Sequence, residues 1–517
     1  MYTLGDIPRK GALLYPELEA VVFEDIRLTY QQLEERVNRL ANALTGLGVK
    51  QGDKVGVIGE NSAAFLQLYF AAAKIGAVTA PLNFRLSDPE IVHIVNDSEA
   101  MILFAGESYE ERVYALMNQM PGVKIFVTLE KRVQEITYAE DLIQTAPSTE
   151  PLVDVDENDL AVLMYTGGTT GLPKGVMLSH RNILTGVISA NLQYPIAPGE
   201  ATCFVLPLFH VSFWPAFCFL LAGGKVAINR KPDLNEILRI IQDEKCQHMN
   251  AVPTIYGWLL QFANVDAYDL SSLRLLSYAG SPFPPEVLKQ CMKKFKADFA
   301  QGYGATETAG GAVTGLSPEE HILEGPGSEL LVSAGKPSLC AQVRITDEEG
   351  RVLPPGEIGE ISAKGKHVMR GYWKNPELTA KVLKDGWYHT GDMGRMNEQG
   401  HLFLVDRKAD MIVTGGENVY PKEVEDVLYA HPAVLECAVV SAPDARWGER
   451  VQAVVVLKPD QTATPEELIE HCKAYLGGYK CPKDIAFWDA VPKTPVGKIL
   501  RKDVKKAFWT GHDRSIG

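Results

Sequence analysis

The sequence predicts an α/β protein: a large layered α/β N-terminal domain, a small antiparallel β-barrel subdomain, and a small, mobile α+β C-terminal domain. Three observations predict it. Helical and strand periodicities alternate from Thr29 to Tyr278, short strands and turns take over after Ala341, and alternation resumes beyond the charged segment Asp406–Asp410. At 517 residues the chain exceeds what one hydrophobic core sustains, so two domains are expected, 1–406 and 407–517.

The elements follow in order. Thr29 with Gln32 forms a capping box, and Leu33, Val37, Leu40, Ala41 and Leu44 recur at helical spacing up to Gly46. Val55–Ile58 reads as a buried strand, Ala63–Ala73 as a helix and Ala77–Ala80 as a strand entry, which together imply a mostly parallel sheet. The same alternation returns in Ala222–Ile228, Leu234–Gln242, Met249–Pro253 and Leu273–Tyr278. Val343–Ile345, the turn-rich run Glu348–Glu360 and Gly386–Tyr388 suit a small antiparallel barrel. After Phe403–Val405, the segments Val424–Ala430, Ala438–Ser441, Val451–Leu457 and Glu466–Tyr475 make the α+β tail.

Bulk properties exclude several classes. Hydrophobic residues make up 46% and charged residues 22%, as in ordinary globular proteins. The longest apolar stretch, Val211–Ala222, is interrupted by Ser212 and Pro215 and is too short to cross a bilayer, so no stable membrane insertion is expected. The N-terminus lacks a secretory pattern, which makes the cytoplasm the expected compartment. Eight scattered cysteines form no CxxC pair and read as reduced thiols. A net charge of −14 argues against nucleic acid. The basic cluster Lys498, Arg501, Lys502, Lys505 and Lys506 reads as a solvated helix face.

Chemistry enters at Tyr165–Gly175, YTGGTTGLPKG, which follows the apolar run Leu160–Met164 and so leaves the end of a strand. Gly167, Gly168 and Gly171 let backbone amides approach an anion, Thr169 and Thr170 add hydroxyl donors, and Lys174 adds a positive charge. Such a loop suits a phosphate chain. It is not a Walker A loop, because Pro173 precedes the lysine and Gly175 follows it.

This run resembles the signature of the adenylate-forming superfamily of acyl-CoA synthetases, peptide-synthetase adenylation domains and firefly-type luciferases. AGSPF (Ala279–Phe283), QGYGATET (Gln301–Thr308), YHTGD (Tyr388–Asp392), DRKADMIVTGGENVYPKEVE (Asp406–Glu425) and PVGK (Pro495–Lys498) follow in that family's order. The resemblance implies that Thr166, Gly167, Thr169, Thr170, Gly171 and Lys174 hold ATP phosphates, and that Gly280 and Ser281 meet adenine. Gln301, Gly302, Tyr303 and Gly304 border nucleotide and acyl group, with Tyr303 able to stack on the base. Thr306 donates to phosphate, Glu307 ligates magnesium as a hard oxygen donor, and Asp392 with Arg407 holds the ribose. Lys498 is implied to bridge the carboxylate and α-phosphate, where a fixed cation lowers the barrier between two anions. Gly415, Gly416 and Glu417 are implied to meet coenzyme A.

In peptide-synthetase adenylation domains an aspartate binds the substrate ammonium; here His210 stands in its place, which disfavours amino acids. By the same resemblance His210, Phe213, Trp214, Ala279 and Gly304 border an acyl pocket for an uncharged fatty or aryl tail. The expected activity is ATP-dependent acyl-CoA ligation through an acyl adenylate, by a monomer or homodimer. Loading of a phosphopantetheine carrier protein is the alternative. A non-catalytic nucleotide-binding regulator is disfavoured by the presence of Lys174, Glu307, Asp392, Arg407 and Lys498, and a hydrolase by the lack of a GxSxG elbow. Rotation of the small domain about Asp406–Asp410 is expected between the half-reactions, although Ala409 departs from the family's usual Asp or Lys.

Overall fold

The computed structural model describes residues 3–133, 135–166, 173–407, 410–414, 417–444, 446–493 and 499–509, the side chains of Asp406 and Arg407 excepted. The capping box forms as its sequence dictates: Thr29 and Gln32 bond reciprocally at the start of helix Tyr30–Gly46. Helix Ala63–Lys74 is buried on nearly every side, as its apolar composition demands. It lies in one continuous core that joins Val21 and Val226 of one large sheet to Val57 and Val162 of another. The expected layered α/β architecture is therefore present.

Among the described residues the first large sheet has nine strands. Lys225–Ile228, Ala201–Phe204, His248–Ala251, Leu275–Ala279 and Asp298–Ala305 run parallel side by side. The direction then reverses, because Gly310–Leu316 pairs antiparallel with Asp298–Ala305. In the second, eight-stranded sheet, Val78–Leu82 pairs in parallel with Leu160–Thr166, which turns back antiparallel into Lys174–Ser179; short Gly371–Tyr372 closes that edge.

The expected small antiparallel subdomain after Ala341 forms its own five-stranded sheet among the described residues. Gln342–Thr346, Gly359–Lys364 and Trp387–Met396 pair in that order, and Leu383–Lys384 and Leu402–Arg407 both add to Trp387–Met396. Ala334 N–H donates to Leu402 O at 2.7 Å, and Leu402 N–H donates to Gly335 O at 2.8 Å.

From Ile412 onward the chain builds its own cores. Strands Gly448–Leu457 and Val434–Asp444 pair antiparallel, with Asp484–Phe487 parallel on the other side of the first. Val439, Val455 and Leu468 belong to a core on one face, and Val440, Val454 and Val504 to a second. The C-terminal basic cluster is only partly a solvated face. Arg501 turns inward to Glu425 at 2.5 Å and Lys505 approaches Glu449 at 3.9 Å, while Lys502 and Lys506 are exposed and Lys498 lies outside the described residues. All eight cysteines are free, and seven are buried.

Candidate active site

The parallel strands of the nine-stranded sheet end at Ala251, Ala279 and Ala305, where the strand direction switches; open α/β sheets bind ligands at such an edge. A cavity of about 380 Å³ opens there, large enough for a small organic ligand. One sheet face makes its floor. Alternate residues His248 and Asn250, then Leu275, Ser277 and Ala279, then Ala300, Gly302 and Gly304 all line it. Helix His180–Gln193 contributes Gly186, Ser189 and Gln193 to the opposite wall, and helix Trp214–Ala222 contributes Trp214 and Cys218.

Eleven of the sequence-predicted residues meet here. Thr166, Gly280, Gln301, Thr306, Glu307 and Asp392 line it, and so do His210, Trp214, Ala279, Gly302 and Gly304. Backbone geometry explains why glycine occupies the turn: Gly280 has φ +86°, in the left-handed region. Trp214 approaches so closely that a Cβ on Gly310 would lie 2.6 Å from its Cδ1. His210 accepts the Ser212 N–H on Nδ1 at 3.2 Å.

Glu307 sits in the turn Thr306–Thr308 immediately after strand Asp298–Ala305, with Thr306 buried beside it. Tyr372 donates its hydroxyl to Glu307 Oε1 at 2.8 Å. Burial and the neighbouring Glu307 carboxylate hold the Tyr372 phenol well above its usual range, so it remains a donor. Tyr388 is buried behind this pair, and burial first, then Glu307, raises its phenol as well. Tyr372 belongs to the short strand beside Lys174–Ser179, which places its ring centroid 6.0 Å from Lys174 Nζ. Sequence reasoning missed Tyr372; its only signal was a tyrosine buried among glycine-rich motifs. Tyr303 donates to Asp392 Oδ2 at 2.7 Å, and the Asp392 backbone faces Arg407 across the strand pair.

Other expectations fall elsewhere. Phe213 stands apart from the cavity, 1% exposed, with its ring 5.0 Å from Tyr69 and 4.8 Å from Phe217. Ser281 is half-buried beyond the cavity wall, and Glu417 is exposed on strand Glu417–Val419 of the C-terminal sheet. Gly167, Thr169, Thr170, Gly171, Gly415, Gly416, Lys498 and hinge residue Ala409 lie outside the described residues, as does the side chain of Arg407. The two strands on either side of residues 167–172 are described, and they pair Thr166 with Lys174.

Among the described residues no three His, Cys, Asp or Glu side chains converge as a metal cage. Glu307, whose Oε1 accepts from Tyr372, presents a carboxylate to the cavity. That donor set fits magnesium, which is commonly held by one or two carboxylates, substrate phosphates and water.

The sequence matches two family models, AMP-binding enzyme over residues 9–373 and AMP-binding enzyme C-terminal domain over residues 423–498. Feruloyl-CoA synthase from Amycolatopsis sp is 38% identical over 507 residues, covering 98% of this chain and 99% of the relative. Fatty acid–acyl-carrier-protein ligase ScoC of Streptomyces coeruleorubidus is 36% identical, covering 97% and 95%. The solved structure of the anthranilate CoA ligase AuaEII with anthranoyl-AMP superposes with a TM-score of 0.90 at 27% identity, over 98% and 97% of the two chains. Signature motifs, two-sheet architecture and a cavity at the strand switch agree with these matches: the chain belongs to the AMP-binding family of adenylate-forming enzymes, as an AMP-forming acid–CoA ligase.

Proposed function

We propose that this ligase activates a carboxylic acid with an uncharged, aryl or fatty tail, and that the acid lies along the cavity floor with its carboxylate toward Glu307. The carrying observation is the charge of the walls. Glu307 and Asp392 are the only carboxylates that line the cavity among the described residues, and by family resemblance both belong to its nucleotide end. A substrate ammonium would find no partner beside His210, and an unpaired buried charge is costly.

In the first half-reaction a carboxylate oxygen bonds to the α-phosphorus of ATP as the α–β bridge breaks, and pyrophosphate leaves. In the second the CoA sulfur bonds to the acyl carbon, the thiol proton goes to solvent, and the bond to AMP breaks. Tyr372 orients Glu307, and Asp392 with Tyr303 stands ready for the ribose hydroxyls. Magnesium, when bound by Glu307, neutralises phosphate charge. By family resemblance Lys498 serves the first half-reaction and Gly415, Gly416 and Glu417 the second. A domain boundary at 406/407, with a hinge at Asp406–Asp410, would let one carbonyl meet both groups in turn. No helix of the described residues is long and apolar enough to cross a membrane. The proposed form is a cytoplasmic enzyme, monomeric or homodimeric.

The test is product analysis with ATP, magnesium and CoA across alkyl, aryl and amino acids. AMP, pyrophosphate and an acyl-CoA are expected from alkyl or aryl acids. Better specificity constants for amino acids, or ADP as product, would reject the reading.

A further inference from the structure

The cavity floor carries more hydrogen-bonding capacity than an alkyl tail can use. Register pairs Asn250 with Ser277 and Ser277 with Ala300 in one row, and Ala279 with Gly302 in the row above. Ser277 Oγ donates to Asn250 Oδ1, which leaves the Asn250 Nδ2 amide without a protein partner among the described residues and open to the cavity. One row lower lies His248, 4% exposed, with Nε2 held 3.1 Å from Glu200 Oε2. Across the cavity Ser189 is 5% exposed, and its buried hydroxyl has no partner.

Position and shape narrow the ligand. Gly304 and Ala300 are four residues apart on strand Asp298–Ala305, so the polar row lies about 13 Å along the floor from Gly304. Between them the wall is small and flat: Ala279, Gly302 and Gly311, with Trp214 close enough that a Cβ on Gly311 would lie 3.5 Å from its Cζ2. A planar ring fits such a slot. An amide left dry beneath it costs about 1–3 kcal/mol unless a ligand oxygen answers it.

We infer that Asn250 and Ser277 form a polar subsite for a neutral oxygen substituent on the acid's ring, so that ring-hydroxylated aryl acids are the preferred substrates. This rests on the acid-activating reading above. The geometry assigns specificity to these two side chains: Asn250 donates to the substituent oxygen, and Ser277 fixes the amide.

The experiment compares 4-hydroxycinnamate, cinnamate and octanoate by pyrophosphate release, and measures wild-type affinity for the two cinnamates by calorimetry. Wild type should favour the hydroxylated acid over cinnamate by about tenfold or more in kcat/KM. Asn250→Leu, and separately the milder Ser277→Ala, should collapse that ratio toward unity. Equal kcat/KM and equal affinity for both cinnamates in the wild type would overturn the subsite, as would an unchanged ratio in both variants. Pyrophosphate release from none of the acids would instead overturn the acid-activating reading, and the subsite with it.

Discussion

Tyr372 and Glu307, 65 residues apart in sequence, meet through a 2.8 Å hydrogen bond between phenol and carboxylate. Because Tyr372 lies on the strand next to Lys174–Ser179, this bond ties the turn that carries Glu307 to the sheet edge that carries Lys174. Tyr372→Phe removes the donor and keeps the ring. A hydrogen bond to a charged group is worth about 1.5–3 kcal/mol, so kcat/KM for ATP should fall at least about tenfold. The magnesium concentration for half-maximal ATP binding, read by calorimetry, should rise. Loss of thermal stability with unaltered magnesium dependence would show that Tyr372 only packs.

Two neighbouring glycines should respond in opposite ways. A Cβ on Gly304 would lie 1.9 Å from the Gly310 carbonyl oxygen, whereas one on Gly302 meets nothing nearer than 3.5 Å. Gly304→Ala therefore strains the backbone and should cost about 2 kcal/mol in urea unfolding. Gly302→Ala should fold normally and lower kcat/KM for bulky acids by narrowing the floor. The two effects exchanged would contradict this cavity geometry.

Arg501 and Glu425 form a partly buried pair, with the Glu425 side chain only 8% exposed. Glu425 Oε1 also accepts the Val439 N–H at 2.8 Å, which links helix Pro421–Tyr429 to the adjacent strand. Arg501→Met strands the carboxylate and should cost about 3 kcal/mol of C-terminal domain stability, measured by denaturant titration. Stability within error of wild type would show the pair to be solvated.

Burial pulls the imidazoles of His180 and His367 down to about 4, and the Nε2 atom of each is buried without a partner. The folded state favours the neutral ring, while the unfolded chain binds a proton near pH 6.5. Stability is thus fully present above about pH 6.5 and falls as pH drops toward about 4. Each ring should remove about 1.4 kcal/mol between pH 8 and pH 5.5. Urea midpoints at the two pH values check it, and equal midpoints would refute it.

Local chemistry was readable and long-range closure was not. The Thr29–Gln32 cap and the helix beyond it need only neighbours three or four residues away, so the sequence pattern sufficed. Glycine-rich motifs marked Gly280, Gly302, Thr306 and Glu307 for the same reason, and they do converge on one cavity. The Tyr372–Glu307 bond and the Asn250–Ser277 row depend on strand order and register, which no local signal encodes. Turn spacing marked the hairpins of the small antiparallel subdomain but not the bonds that join Leu402 to Ala334 and Gly335. Phe213 was expected at the pocket as an apolar residue of the resembling motif, whereas its ring packs in the core against Tyr69 and Phe217.

The central claim is that this cavity forms an acyl adenylate before CoA takes part. Isotope exchange between labelled pyrophosphate and ATP, run without CoA, tests it most directly. Exchange should appear only when a carboxylic acid is added, and Lys498→Ala should suppress it while leaving CoA-dependent consumption of a supplied acyl adenylate largely intact. Exchange that ignores the acid, or that first appears when CoA is added, would contradict the account.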